Sequence, residues 1–383
     1  MSVTAAAGFR ASGIVAGIKL SGGRDLALVV NDGPGDAAAA VFTANRVKAA
    51  PVRWSEQVIA DGRLRAVVLN SGGANACTGP AGFADAHATA ERVADVLRIG
   101  AGEVAVCSTG LIGELLPMDK ILPGIDAAVQ ALAIAGGPDA ADAIRTTDTV
   151  SKLASVTVGD WTVGGMAKGA GMLAPSLATM LCVLTTDAVV PAERLDAVLR
   201  AAVRTTFDRL DADGCMSTND TVVLMASGAS GQVPGESEFA DAVGRVCADL
   251  ARQLLADAEG ATKEVAIEVR GAVSEDEAVE VARSIARNNL LKCALFGNDP
   301  NWGRVLAAIG TTSAVFDPDE LDVSINGVEV CRQGAAGEDR ALVDLAGRTI
   351  AIVADLHAGP ASATILTNDL SHAYVEENSA YSS

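Results

Sequence analysis

Aromatic residues are scarce. Three Trp, two Tyr and seven Phe make up 3% of the 383 residues, too few for a base-stacking surface. Positive charge is short as well: 29 Lys and Arg face 48 Asp and Glu, a net charge of −19. The basic footprint that nucleic-acid binding needs is therefore missing. The three histidines, His87, His357 and His372, lie far apart without metal-ligand spacing, which argues against a zinc site. The seven cysteines, Cys77, Cys107, Cys182, Cys215, Cys247, Cys293 and Cys331, include no C-x-x-C pair. Their odd number and wide spacing read as reduced thiols, several in buried strands. No apolar run reaches the length of a membrane helix. Met1 to Gly13 lacks the basic start and apolar stretch of a signal peptide. The expectation is a soluble cytoplasmic protein.

What the chain has in plenty is small apolar residues. Hydrophobic residues are 50% of it, enough for a large core, and the length suits two domains or one large one. Apolar runs predict strands at Arg65–Asn70, Val104–Ser108, Thr179–Thr186, Thr221–Ala226, Val265–Arg270, Val323–Val330 and Thr349–Asp355. Several are apolar on both faces, as in buried sheets. Helical periodicity marks Pro191–Phe207, Ala84–Leu97 and Ser274–Asn288, the last opening with the Ser274/Glu277 spacing of a capping box. Residues 135–143 read as a loop into a helix, and Ala335–Asp339 as an exposed turn. The pattern is mixed α/β with sheets covered by helices, without a regular βαβ repeat, internal repeat or long Pro/Ser linker.

The richest stretch runs from Gly164 to Thr186. A glycine-rich loop carrying Lys168 passes through Pro175 to the small-residue junction Ala178-Thr179, and an apolar strand follows. If the chain cuts itself at Ala178-Thr179, the new terminus is a threonine nucleophile whose own α-amine is the base. That amine titrates at roughly 7.7–8.0 in reference peptides, near the pH where general bases work best. A plain loop-to-strand connection is the other reading. Gly169-x-Gly171-x-x-Ala174 matches a degenerate dinucleotide fingerprint, but Pro175 and a strand follow where a helix N-terminus would hold the pyrophosphate. Lys168 is followed by Gly169, so the stretch is no Walker loop either.

Other clusters repeat the theme of small polar turns after apolar runs. Strand Val104–Ser108 ends in Thr109-Gly110, where a hydroxyl and an amide can serve one oxyanion. An ordinary strand-ending turn fits as well. Asn70–Gly79 is a second tight loop, and Thr146–Thr149, Ser217–Thr221 and Glu259–Lys263 are dense in hydrogen-bonding side chains that could equally be caps. Gly297-Asn298-Asp299-Pro300-Asn301-Trp302-Gly303-Arg304 pairs a tryptophan with an arginine in a rigid turn, suited to positioning a neighbour or a subunit contact.

These residues resemble the glutamate N-acetyltransferase/ornithine acetyltransferase family of arginine biosynthesis, autoprocessing enzymes with an N-terminal threonine nucleophile. The resemblance covers nearly the whole chain, from Gly8–Ile14 and Phe42-Thr43-Ala44-Asn45 to Glu377–Ser383, and Lys168–Thr179 with Gly297–Arg304 is its most specific part. It implies a four-layer αββα sandwich, as in related self-cleaving aminopeptidases. It implies cleavage between Ala178 and Thr179 into an α piece, residues 1–178, and a β piece, residues 179–383, which share one core and assemble as two α and two β chains.

By the same resemblance Thr179 is the nucleophile, and Thr109 and Gly110 form the oxyanion hole. Thr146, Lys168, Thr179, Glu259, Asn378 and Ser383 contact substrate. Lys168 would pair with a carboxylate and Glu259 with the amine of ornithine. The implied activity is acetyl transfer from N2-acetyl-L-ornithine to L-glutamate, with no metal or organic cofactor. Alternatives are a bifunctional form that also takes acetyl-CoA as co-substrate, an amidase or aminopeptidase on the same fold, and a nucleotide-binding protein that Pro175 disfavours. The chain departs from the family at Gly73, where Asn is frequent, and at Asp208, Ala212 and Cys215.

Overall fold

The computed structural model describes residues 2–174 and 180–380, so Ala178, Thr179 and Ser383 lie outside the described residues. The chain forms two compact units. The first takes in Met1–Ala170, Ser176–Asp208 and Met216–Leu254; the second takes in Gly171–Pro175, Arg209–Cys215 and Leu255–Ser383.

The first unit is built on two sheets. One has four strands, in the order Phe9–Ile14, Leu26–Asn31, Ala66–Ser71 and Val104–Thr109. The other has five, in the order Ala37–Phe42, Thr221–Ala226, Leu181–Thr186, Trp161–Lys168 and Lys152–Val158. Leu26–Asn31 and Leu181–Thr186 are among the strands buried along their whole length, as expected where both faces of a sheet are covered. Alternate residues divide between two cores. Ala27, Val29, Val67, Leu69, Ala105 and Cys107 of the first sheet share a cluster with Met166, Leu181, Val183, Val223 and Met225 of the second. The intervening Leu26, Leu28, Val68 and Val106 face away, onto helices Gly79–Leu97 and Met118–Gln130. On the far side of the second sheet lie helices Ala192–Thr205 and Glu236–Ala256. The layers read helix, sheet, sheet, helix, which is the αββα sandwich.

Small residues bring these layers close. Gly164 and Gly165, expected in a loop, sit inside strand Trp161–Lys168. A Cβ on Gly164 would meet the Ser2 carbonyl oxygen at 2.3 Å, and one on Gly165 would meet Leu184 at 2.8 Å and Leu250 and Val246 at 3.1 Å. Glycine here marks close packing within a strand. The loop proper begins only at Gly169.

The second unit carries a six-stranded sheet in the order Ala335–Ala336, Val328–Arg332, Asp322–Ile325, Thr349–Asp355, Glu264–Ala272 and Ala361–Asn368. Val265, Ile267, Val269, Ile350 and Ile352 turn one face into a core with Val281 and Ile285 of helix Glu275–Ala286. That helix is capped by Ser274, whose hydroxyl accepts the Glu277 N–H at 3.2 Å. Two sequence expectations are corrected in this unit. Val323–Val330 is not one strand but a hairpin, broken at Asn326-Gly327, whose φ values of 48° and 83° suit a two-residue turn. Ala335–Asp339 is not simply a turn, because Ala335 and Ala336 pair with Arg332 and Cys331. The bend falls before them, at Gln333-Gly334, with φ of 49° and 68°. Among the described residues no helix is long and apolar enough to cross a membrane.

Candidate active site

In the first unit the polar groups gather where buried strands end. Strands Ala66–Ser71 and Val104–Thr109 run parallel and finish side by side, Ser71 beside Thr109. The Thr109 carbonyl accepts the N–H groups of Gly72 and Gly73 at 2.9 and 3.0 Å. A trans peptide directs its N–H opposite to its carbonyl, so the Gly110 N–H points away from that turn. Gly110 has φ of 133°, and a Cβ there would lie 2.5 Å from the Gly73 nitrogen. Only glycine fits this approach. Thr109 itself is 4% exposed. The chain after Thr109 thus leaves a fixed amide beside a buried threonine.

The second sheet contributes Lys168 at the end of strand Trp161–Lys168, paired across to Leu181. Lys168 is 1% exposed, and its Nζ donates to the Thr146 Oγ1 at 3.3 Å. These two expected residues are therefore brought together. What holds them is Asp148. Its Oδ1 accepts the Lys152 Nζ and the Gly169 N–H, both at 2.6 Å, and its Oδ2 accepts the Thr146 N–H at 3.1 Å. Burial pushes the Asp148 carboxyl up, but the charges of Lys168 and Lys152 and the Gly169 N–H outweigh it, so its pKa falls below the ordinary value. Two buried lysines then share one carboxylate, which suits a carboxylate-bearing substrate.

A third group joins the two sheets. The Asn219 Nδ2 donates to the carbonyls of Ser108 and Ala74 at 2.8 and 2.6 Å. The next residue, Asp220, accepts the Met180 N–H at 3.1 Å. Residue 219 is thereby bonded to the residue before Thr109, and residue 220 to the residue after Thr179. The cluster Ser217–Thr221, legible only as a turn, is the link between the two candidate pieces of machinery.

In the second unit Glu259 and Asn378 come together, the Asn378 Nδ2 donating to the Glu259 Oε2 at 2.9 Å. Asn378 lies on the exposed helix His372–Ala380, which is fastened at its start. The Ser371 hydroxyl donates to the Gly260 carbonyl at 2.6 Å, and Asp369 accepts the Thr262 and Lys263 N–H groups at 2.9 and 2.8 Å. Gly260 has φ of 62°, and a Cβ there would strike the Tyr374 nitrogen at 2.2 Å. Gly171 packs as closely on Glu259, its notional Cβ 2.5 Å from the carboxylate. A cavity lined by Asp213, Lys292, Asp369 and Tyr374 holds only about 60 Å³. That is room for about two waters, not for an amino acid. Burial lowers the Lys292 amine there to about 8. Trp302, expected in a rigid turn, instead opens helix Trp302–Ile309 and packs on the core of this unit.

The model of the ArgJ family matches residues 10–383. The chain belongs to the ArgJ family. A protein named arginine biosynthesis bifunctional protein ArgJ from Streptomyces avermitilis is 69% identical over 383 residues, covering 100% of both chains. One of the same name from Streptomyces coelicolor is 68% identical with the same coverage. A solved chain of ornithine acetyltransferase from Mycobacterium tuberculosis, complexed with ornithine, is 63% identical; the match covers 47% of this chain and 96% of that one, with a TM-score of 0.45.

Proposed function

We propose that this chain cleaves itself between Ala178 and Thr179 and then moves an acetyl group from N2-acetyl-L-ornithine to L-glutamate through an acetyl-threonine. As a member of the ArgJ family it is an acetyltransferase of arginine biosynthesis. The observation that carries the mechanism is the Asn219-Asp220 link, which ties the strand end at Ser108-Thr109 to the amide after Thr179.

The Thr179 Oγ attacks the acetyl carbon while its α-amine takes the hydroxyl proton. The Thr109 hydroxyl and the Gly110 N–H receive the oxyanion as charge develops. The C–N bond of acetylornithine breaks, the proton passes to the leaving amine, and ornithine departs. The free glutamate amine then attacks the acetyl carbon, and the ester bond to the Thr179 Oγ breaks. The α-amine carries the proton released by the attacking amine back to Oγ, and N-acetylglutamate leaves. Lys168, with Thr146, holds a substrate carboxylate. Glu259, with Asn378, holds the side-chain ammonium of ornithine, and Ser383 completes the site from the C-terminus. The pieces 1–178 and 179–383 remain one body, because strands Trp161–Lys168 and Leu181–Thr186 pair over six residues. They assemble as two α and two β chains in the cytoplasm. The relatives' names carry the word bifunctional, which favours acetyl-CoA as a second donor.

Intact mass under denaturing conditions tests the first step: two polypeptides are expected, the second starting at Thr179, and Thr179→Ala should leave one inactive chain. Initial rates at varied glutamate should give parallel lines; intersecting lines would remove the covalent intermediate. Acetyl transfer from acetyl-CoA to glutamate decides the second donor.

A further inference from the structure

The Gly110 amide stands inside a closed ring of hydrogen bonds. Ser108 and Thr109 lead into it from the strand end, and Leu111 follows it. The Leu111 carbonyl accepts the Ala74 N–H at 2.8 Å, so the far side of Gly110 is tied to the loop after strand Ala66–Ser71. The carbonyls of Ala74 and Ser108 then meet at one group. Both accept from the Asn219 Nδ2, at 2.6 and 2.8 Å. The path Asn219, Ser108, Thr109, Gly110, Leu111, Ala74 therefore returns to Asn219, which supplies the one side chain in the ring. Asn219, Ala74 and Ser108 are all buried, where a carbonyl left without a donor is costly.

Two carbonyls aimed at one point need two donors, and a primary amide nitrogen carries both on one atom. The amide is held the right way round by its oxygen, which accepts the Thr218 hydroxyl at 2.6 Å. Asn219 also comes from the other sheet. It stands just before strand Thr221–Ala226, in the five-stranded sheet that carries Lys168, whereas Ser108 belongs to the four-stranded one. We propose that Asn219 is the positioning residue of the oxyanion hole: by holding Ser108 and Ala74 it fixes the plane of the Thr109-Gly110 peptide and so the direction of the Gly110 N–H. The inference rests on the reading of Thr109 and Gly110 as the oxyanion donors. Asn219 acts through that amide and not on the substrate. A donor set in place beforehand has no reorganisation to undergo as charge develops. A second clasp keeps the strand and loop together without Asn219, since Asn70 accepts the Ser108 hydroxyl at 2.6 Å and donates to the Gly73 carbonyl at 3.0 Å. Loss of Asn219 should therefore loosen the ring and leave the fold.

The test uses the full chain carrying Asn219→Leu, which keeps the shape of the side chain and removes both donors. Folding is followed by thermal melting and cleavage by intact mass. Values of kcat and KM for N2-acetyl-L-ornithine are measured on the cleaved enzyme, with Thr109→Ala beside it. The expected result is a folded, cleaved variant whose kcat falls by roughly 10²-fold, as for a misplacement of about 1 Å at the reacting centre. KM should hold, because the displaced amide is felt only as the oxyanion forms. An unchanged kcat overturns the proposal, and so does a loss carried wholly by KM, the mark of a general distortion. Should Asn219→Leu misfold or stay uncleaved, Asn219→Ser decides. It keeps one donor on a shorter side chain, so kcat should fall less at the same KM, and an unmoved kcat overturns the proposal. Thr109→Ala tells the two failures apart. If it keeps full kcat, the oxyanion reading is wrong and this inference falls with it. If it loses kcat while Asn219→Leu does not, the inference alone is wrong.

Discussion

The two units set their candidate site residues in opposite surroundings. In the first, Thr109, Asp148, Lys152, Lys168, Asn219 and Asp220 are all buried and sit at or beside the ends of sheet strands. In the second, Glu259 is half-buried on a loop and Asn378 is exposed on a terminal helix. Charges out of water interact strongly and are held rigidly, which suits groups that must meet a developing charge. Charges near water are screened, which suits recognition of a substrate that must come and go. On the proposed reading the first unit carries the chemistry and, through Lys168 and Thr146, holds a substrate carboxylate, while Glu259 and Asn378 of the second select the ornithine side chain.

The largest effect should come from breaking the buried ion pair. Asp148 and Lys152 have side chains at 0% exposure, 2.6 Å apart. Removing one partner of such a pair costs about 3–5 kcal/mol, so Asp148→Ala should lose that much in urea unfolding at neutral pH. The Asp148 pKa is lowered in the fold, so its contribution is present above the unfolded carboxylate pKa and is lost as pH falls through the lower folded value. The gap between wild type and variant should hold through neutral pH and close only in acid. A loss under about 1 kcal/mol would mean the pair is no more than a surface contact in energy.

Thr109→Ala comes next and separates chemistry from stability. Loss of one oxyanion donor lowers kcat by roughly 10²–10³, while the melting temperature should barely change. Against it stands Glu259→Gln. A hydrogen bond to a charged group is worth roughly 1.5–3 kcal/mol, about 10- to 100-fold, and this should appear in KM for the ornithine donor with kcat kept. Asn378→Ala, a neutral donor in water, should raise the same KM only several-fold, in line with roughly 0.5–1.5 kcal/mol. If Glu259→Gln lowers kcat as far as Thr109→Ala does, the division of labour between the units is wrong.

Much of this contrast was legible before the structure. Strand ends at Thr109, the helix cap at Ser274 and the family resemblance are written in local sequence. Asp148, Asn219 and Asp220 were visible as members of polar clusters but had no role, because their partners are remote. Asp148 binds Gly169, 21 residues on, and Asn219 binds Ala74 across 145 residues. Periodicity does not see such contacts. Gly164 and Gly165 misled for the same reason: glycine reads as loop unless the neighbour that needs the space is known. Asn326-Gly327 was a different case, since Asn-Gly between apolar runs signals a hairpin by itself.

The smallest effect should lie on the exposed face of the second unit, where His357 meets two carboxylates. Its Nε2 is 2.7 Å from Asp322 and its Nδ1 3.6 Å from Asp355, with the ring 43% exposed. The Asp322 hydrogen bond raises the His357 pKa above its ordinary value. For Asp322, partial burial acts upward, but the Gln333 N–H and His357 win and its pKa falls. The histidine therefore stabilises the fold fully below its unfolded pKa, and that stabilisation is lost as pH rises through the raised folded value. The aspartate contributes above its unfolded pKa and stops contributing as pH falls through its lowered one. The pair is at its best in the mildly acidic window between them. His357→Ala should therefore lower the melting temperature most near pH 5–6, by an amount matching at most about 1 kcal/mol for an exposed pair. The difference should shrink as pH rises through the histidine titration. A deficit that grows toward alkaline pH would show that His357 supports its turn, where it holds φ of 51°, by packing rather than charge.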